Sequence, residues 1–206
     1  IIGHWSYPVG TVKTIYVIAS HVAKVELFIN GVSKGVSTTP DYDFLYTFPD
    51  IAFEAGKIQA VGYDENNNIV TQTEVETAGA PTAIKLTPHT GPQGLQADGS
   101  DIAMIDVEVV DAQGRRVPTD QARIDFNISG PATFEGGWNS GKLDSVHKSY
   151  VDTEAGINRV FIRSTRTPGD ITLTATRDGL APGTITISSH AVDAVNGLTT
   201  VMPAVD

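Results

Sequence analysis

An all-β chain, arranged as two antiparallel β-sandwiches in tandem, is the fold predicted by this sequence of 206 residues. Three observations carry that expectation. Apolar and polar residues alternate with period two in almost every apolar segment, the spacing at which side chains leave a strand on opposite faces. Turn-forming residues punctuate those segments every 8–12 residues or so (about the rhythm of a sandwich). No window carries a convincing amphipathic helical repeat, so no helical crossover, and hence no parallel sheet, is expected.

The elements follow in order. A strand is read at Lys13–Val17. In the next, Val25, Leu27 and Ile29 alternate with Glu26 and Phe28. Asn30-Gly31 then separates two apolar runs, a hairpin signal because a type I′ turn needs positive φ at both central residues. The run Asp64-Glu65-Asn66-Asn67-Asn68 joins IQAVGY to IVTQTEV as a second hairpin. In the second half, Ile105, Val107 and Val109 alternate, and Asp111-Ala112-Gln113-Gly114 closes that strand with a turn. Ile124, Phe126 and Ile128 form one face of the next. Thr167–Asp170 turns into the cleanest strand, with Ile171, Leu173 and Ala175 on one face and Thr172, Thr174 and Thr176 on the other. Arg177–Gly183 turns into the last. Thr77-Ala78-Gly79-Ala80-Pro81, small and ending in proline, is the natural boundary between strand-rich blocks. The expected organisation is therefore an immunoglobulin-like sandwich over 1–80, a second over 81–189 and an irregular tail over 190–206. The opening Ile1-Ile2-Gly3 has no initiator methionine and no basic or apolar leader pattern, as expected of a piece of a longer chain.

Composition narrows the function. With 14 Lys+Arg against 24 Asp+Glu, the net charge is −10, which argues against binding a phosphate backbone. No apolar run of about 18 residues could form a membrane-spanning helix. The absence of cysteine excludes disulfides and thiolate metal sites. An apolar content of 40% is too high for a disordered chain, so the 20 glycines and 11 prolines are read as turns.

Catalytic chemistry finds little footing. Ser140, in Gly137-Trp138-Asn139-Ser140-Gly141, does not match a nucleophile elbow, which also needs a strand-to-helix turn. His4, His21, His89, His147 and His190 are scattered, without metal-ligand spacing. Asp98-Gly99-Ser100-Asp101 resembles a calcium loop superficially but lacks the Gly-at-six and closing Glu, and reads as a turn opening a strand. No metal or cofactor is expected. Glu135 and Glu154 flank the longest loop and are the best candidates for a carboxylate pair, although bracing of that loop explains them as well. The sequon Asn127-Ile128-Ser129 falls on a strand, which disfavours glycosylation.

Loop aromatics are more informative. Trp138 sits in a Gly-rich loop where no large ring is needed for folding, and sugars stack their C–H faces on indole. Trp138 with Asn139, and Trp5 with Tyr7 in His4-Trp5-Ser6-Tyr7-Pro8, are the candidate carbohydrate contacts. The alternative for Trp138 is inward packing; for Trp5 and Tyr7 it is an anchor on the first strand.

Two sets of residues resemble a known family. Gly3-His4-Trp5-Ser6-Tyr7-Pro8, followed by Lys13–Val17 and by the hairpin from Val25 to Gly35, is similar to the region downstream of the catalytic barrel in glycoside hydrolase family 2, the bacterial β-galactosidases and their relatives. Leu95–Ala103, Val107–Pro118, Ile128–Pro131 and Leu173–Leu180 resemble the C-terminal immunoglobulin-like domain of the same enzymes. The resemblance implies a retaining glycosidase whose two catalytic Glu residues lie on a (β/α)₈ barrel. This chain has no βα alternation, so no catalytic residue carries over. It implies non-catalytic accessory domains that brace an upstream barrel of the same chain and contact carbohydrate, in a secreted, periplasmic or cell-surface bacterial enzyme. One departure stands out: many relatives have a Gly-Asn-Gly-type loop where this chain has Gly136-Gly137-Trp138-Asn139-Ser140-Gly141. The Ala-Asp-Gly and Asp-Ala-x-Gly segments also occur in bacterial adhesin repeats, so a surface adhesion module of tandem immunoglobulin-like domains is the competing reading.

Overall fold

The computed structural model describes residues 1–138, 145–195 and 198–199. The chain divides into two compact units, Ile1–Ala78 and Gly79–Asp206, and the described residues form strands and turns without a helix.

The first unit contains β1 (Val12–Ile18), β2 (Lys24–Ile29), β3 (Val32–Ser37), β4 (Leu45–Ala52), β5 (Lys57–Tyr63) and β6 (Ile69–Glu76). A four-stranded antiparallel sheet, in the order β3-β2-β5-β6, faces a two-stranded sheet of β1 and β4. Val25, Leu27 and Ile29 from β2 and Ile58 and Ala60 from β5 meet Ile15, Val17, Tyr46, Phe48 and Ile51 from the other sheet in one buried cluster. Asn30 and Gly31 both take positive φ, 51° and 79°, as a two-residue type I′ turn requires. The Asn30 side chain also ties that turn to the β4–β5 connection: its Nδ2 donates to the Ala55 carbonyl at 3.0 Å and its Oδ1 accepts from the Lys57 amide at 2.8 Å.

The sequence pattern does not mark β4, because Pro49-Asp50 interrupts it. In the structure those residues form a bulge: Lys13 pairs with Ile51 but Ile15 pairs with Phe48, so β4 has one residue more than β1. Asp50 takes φ 56° there, and the extra residue turns Ile51 into the core in phase with Tyr46 and Phe48.

The second unit contains β7 (Ala83–His89), β8 (Leu95–Gln96), β9 (Ile102–Val110), β10 (Arg123–Ser129), β11 (Ala132–Gly137), β12 (Tyr150–Asp152), β13 (Ile157–Ser164), β14 (Gly169–Thr176) and β15 (Gly183–His190). Its sheets run β11-β13-β9-β7 and β12-β10-β14-β15-β8. Its strands pair antiparallel except the short β8, which lies parallel to the end of β15, and a single parallel bridge joins Ala83 to Ala181; both are exceptions to the antiparallel expectation. As a two-residue edge segment, β8 joins the sheet without a helical crossover. Ala103, Ile105, Val107 and Val109 of β9 and Ile171, Leu173 and Ala175 of β14 are buried. The threonine face of β14 points outward, where Thr172 and Thr174 meet Thr186 and Thr184 of β15 at 3.3 and 3.4 Å. In the stretch expected as an irregular tail, Ala194–Val195 pairs with Leu198–Thr199.

Candidate functional site

Trp138 stands outside a core strand because of a bulge. Along β11, Phe134 faces inward, its ring stacked on Phe126 with centroids 5.3 Å apart. Strict alternation would send residue 138 the same way. Instead Phe134 pairs with Ile162 while Gly136 pairs with Phe161, so Glu135 is an extra residue and the phase reverses. Gly137 then lies opposite the buried Val160, and Trp138, whose amide donates to the Arg159 carbonyl at 2.7 Å, is carried to the outer side. Both glycines are sterically required. Gly136 takes φ 102° and a Cβ there would lie 2.1 Å from the Ser145 carbonyl oxygen; a Cβ on Gly137 would lie 2.0 Å from Val151 Cγ1.

The result is an indole 63% exposed at the rim of a cavity of about 390 Å³, lined by Asp106, Trp138, Glu154, Ile157, Asn158 and Arg159. Asp106 on β9 lies directly across from Arg159 on β13 and accepts from its Nε at 2.6 Å, and from His89 Nε2 at 2.9 Å. These bonds, Arg159 first, hold the Asp106 carboxyl below the ordinary carboxylate range despite partial burial. Asn158 is committed to the backbone, its Oδ1 accepting from the Arg159 amide and its Nδ2 donating to the Asp152 carbonyl. The Glu154 carboxylate, by contrast, has no hydrogen-bond or ion-pair partner among the described residues.

The other candidates fall elsewhere. Trp5 is a core residue of the first unit, with 0% exposure. Its Nε1 donates to the Glu54 carbonyl at 2.8 Å, and Phe53 and Tyr7 pack edge-on around it at 5.2 and 5.9 Å. No sugar can stack on a ring so enclosed, which corrects the expectation for Trp5. Tyr7 is half-buried in the same cluster, beneath the Lys13 ammonium, and burial pushes its phenol pKa up. Asn139 and Ser140 lie outside the described residues. Glu135 is a loop brace: it accepts from Thr133 Oγ1 at 2.7 Å and Arg163 Nε at 2.9 Å, with His147 3.5 Å away. Asp98 spends its Oδ1 on the amides of Ser100 and Asp101, and no group of three or more metal-ligating side chains occurs among the described residues. Asp106 and Arg159 were not legible as site residues, since only the β9–β13 register brings them together.

Comparison with known proteins settles the family. Residues 84–186 match the model for "Glycoside hydrolase family 2 C-terminal domain 5", and residues 10–71 match a domain of unknown function, DUF4982. The chain belongs to glycoside hydrolase family 2, in its C-terminal region. All of it aligns with a β-glucuronidase from Formosa agariphila, at 49% identity over 205 residues that make up 21% of that protein. A β-galactosidase from Bacteroides ovatus is 31% identical over 91% of this chain and 22% of its own length. Among solved structures, a family 2 β-glucuronidase superposes with a TM-score of 0.88 at 48% identity, over 98% of this chain and 21% of that one. A family 2 member from Bacteroides cellulosilyticus gives 0.80 at 31% identity, over 90% and 26%. The family 2 chain described here thus spans about a fifth of the length of the curated relatives it matches.

Among the described residues of this family 2 region, hydrogen bonds pull the carboxyl pKa down at Asp64, Asp98, Asp106, Asp111, Asp120 and Glu135.

Proposed function

We propose that the chain is the accessory C-terminal region of a β-glycoside-cleaving family 2 enzyme, bracing a catalytic barrel in the same polypeptide. The observation that carries this reading is that the whole chain matches about a fifth of a family 2 relative, with residues 84–186 matching the family's C-terminal domain 5. Bracing is supported by exposed apolar side chains on the first unit, where Tyr16 and Ile18 point out from β1 and Tyr42 and Phe44 are uncovered nearby. Exposed apolar clusters of this kind mark interaction surfaces. Relatives bear both β-glucuronidase and β-galactosidase names, so this region does not select the parent enzyme's sugar. A secreted, periplasmic or surface location suits such an enzyme. The adhesion reading draws no support from these likenesses.

The test measures hydrolysis of nitrophenyl β-galactoside and β-glucuronide by the 206-residue chain and by the full-length enzyme, with and without this region. The isolated chain should stay at blank, and deletion should lower the enzyme's melting temperature. Turnover by the isolated chain, or a deletion that leaves thermal stability unchanged, refutes the reading.

A further inference from the structure

We infer that the cavity beside Trp138 is a non-catalytic carbohydrate-binding subsite, and that it takes an uncharged pyranose rather than a uronate. The choice of sugars as ligands rests on the accessory-region reading; the site itself stands on geometry. Three features converge. The bulge at Glu135 turns an indole out of the strand and leaves it 63% exposed, a costly surface for a large apolar ring. Bulges commonly re-aim a side chain in this way beside functional sites. Ile157 adds an apolar wall, and the cavity of about 390 Å³ falls in the range of small-molecule sites. Polar groups then converge on it: the Glu154 carboxylate, without a partner among the described residues, the outer edge of the Arg159 guanidinium and the spare acceptor capacity of Asp106. A pyranose has the matching chemistry. Its C–H face stacks on indole, and neighbouring hydroxyls donate to carboxylates and accept from guanidinium.

Charge selects among sugars. Among the described lining residues, two carboxylates, Asp106 and Glu154, stand against Arg159, whose Nε is already engaged by Asp106. The chain as a whole carries −10. A uronate carboxylate would therefore enter a site where, among the described residues, two carboxylates face one guanidinium whose Nε Asp106 already engages.

The chain has two tryptophans, and Trp5 is fully buried, so acrylamide quenching of the intact 206-residue chain reports on Trp138. The probes are lactose, cellobiose, mannobiose and digalacturonate. At least one neutral disaccharide should protect Trp138 from quenching and saturate with a Kd of about 1 mM, the range of a small open site. Calorimetry with the same sugar should show Trp138→Ala and Glu154→Gln each weakening binding by about tenfold. Both side chains are exposed, so the variants should keep the wild-type circular dichroism spectrum. Protection by none of the neutral probes, equal protection by digalacturonate, or undiminished binding in either variant overturns the inference. Hydrolysis is assayed in the same samples: turnover would sink the accessory-region reading, whereas absent protection alone would sink only the subsite.

Discussion

Asp111 offers the sharpest test of how the second unit is held together. It follows β9, its side chain is almost wholly buried, and its carboxylate collects four donors. Oδ2 accepts from the Gly79 amide and from Arg115 Nε, both at 2.8 Å; Oδ1 accepts from the Gln113 and Arg115 amides at 3.0 and 2.9 Å. Burial alone would raise its pKa, but the bonds from Gly79, Arg115 and Gln113 outweigh it and pull the value from 3.8 to about 2. A folded pKa below the unfolded one stabilises the fold above pH 3.8, and that contribution fades as pH falls toward 2. At about 1.4 kcal/mol for each tenfold change in acidity, it amounts to about 2 kcal/mol at neutral pH. Asp111→Asn cannot offer the charge. Urea unfolding of both proteins, followed by circular dichroism, should show the variant weaker by about 2 kcal/mol at pH 7, with about a third of that difference left at pH 2.5. A difference that stays constant between those pH values would refute the assignment of the stabilisation to an ionised, hydrogen-bonded carboxylate.

Three further outcomes are expected. Trp5→Ala should destabilise the first unit by about 3–5 kcal/mol in denaturant melts, since it empties the centre of an aromatic cluster and orphans the Glu54 carbonyl. Gly137→Ala should cost about 1–3 kcal/mol, because its methyl would overlap Val151, and should alter Trp138 fluorescence. Asp120→Ala should cost about 3 kcal/mol, as it strips two bonds from the poorly exposed Arg177 guanidinium and one from Thr153 Oγ1; thermal melts of single variants and of the Asp120→Ala/Arg177→Ala pair would show whether the loss is shared.

Features set by neighbours in the sequence were legible. The Thr172–Thr176 alternation orients β14 without reference to its partners, because side chains leave a strand with period two wherever it pairs. Asn30-Gly31 encodes its turn because the constraint is the φ of those two residues. The family resemblance was legible for the same reason, being carried by short runs such as Val25–Gly31 and Leu95–Ala103. β4 and β11 were not, since each has a bulge that breaks the alternation by which strands are recognised.

The all-β class and the turns were thus determined by the sequence alone, through steric rules that act over a few residues. The facing of Trp5 and Trp138 was decided only by tertiary structure. Both are tryptophans in short Gly- or Ser-containing segments, and nothing local separates them. One is enclosed by Phe53 and Tyr7, and the other is turned outward because β11 has one residue more than β13 can pair. The cavity beside Trp138 has the same origin. Asp106 and Arg159 are 53 positions apart in the chain and meet only through the register of β9 on β13, a long-range choice set by burying Val107 and Val160 together.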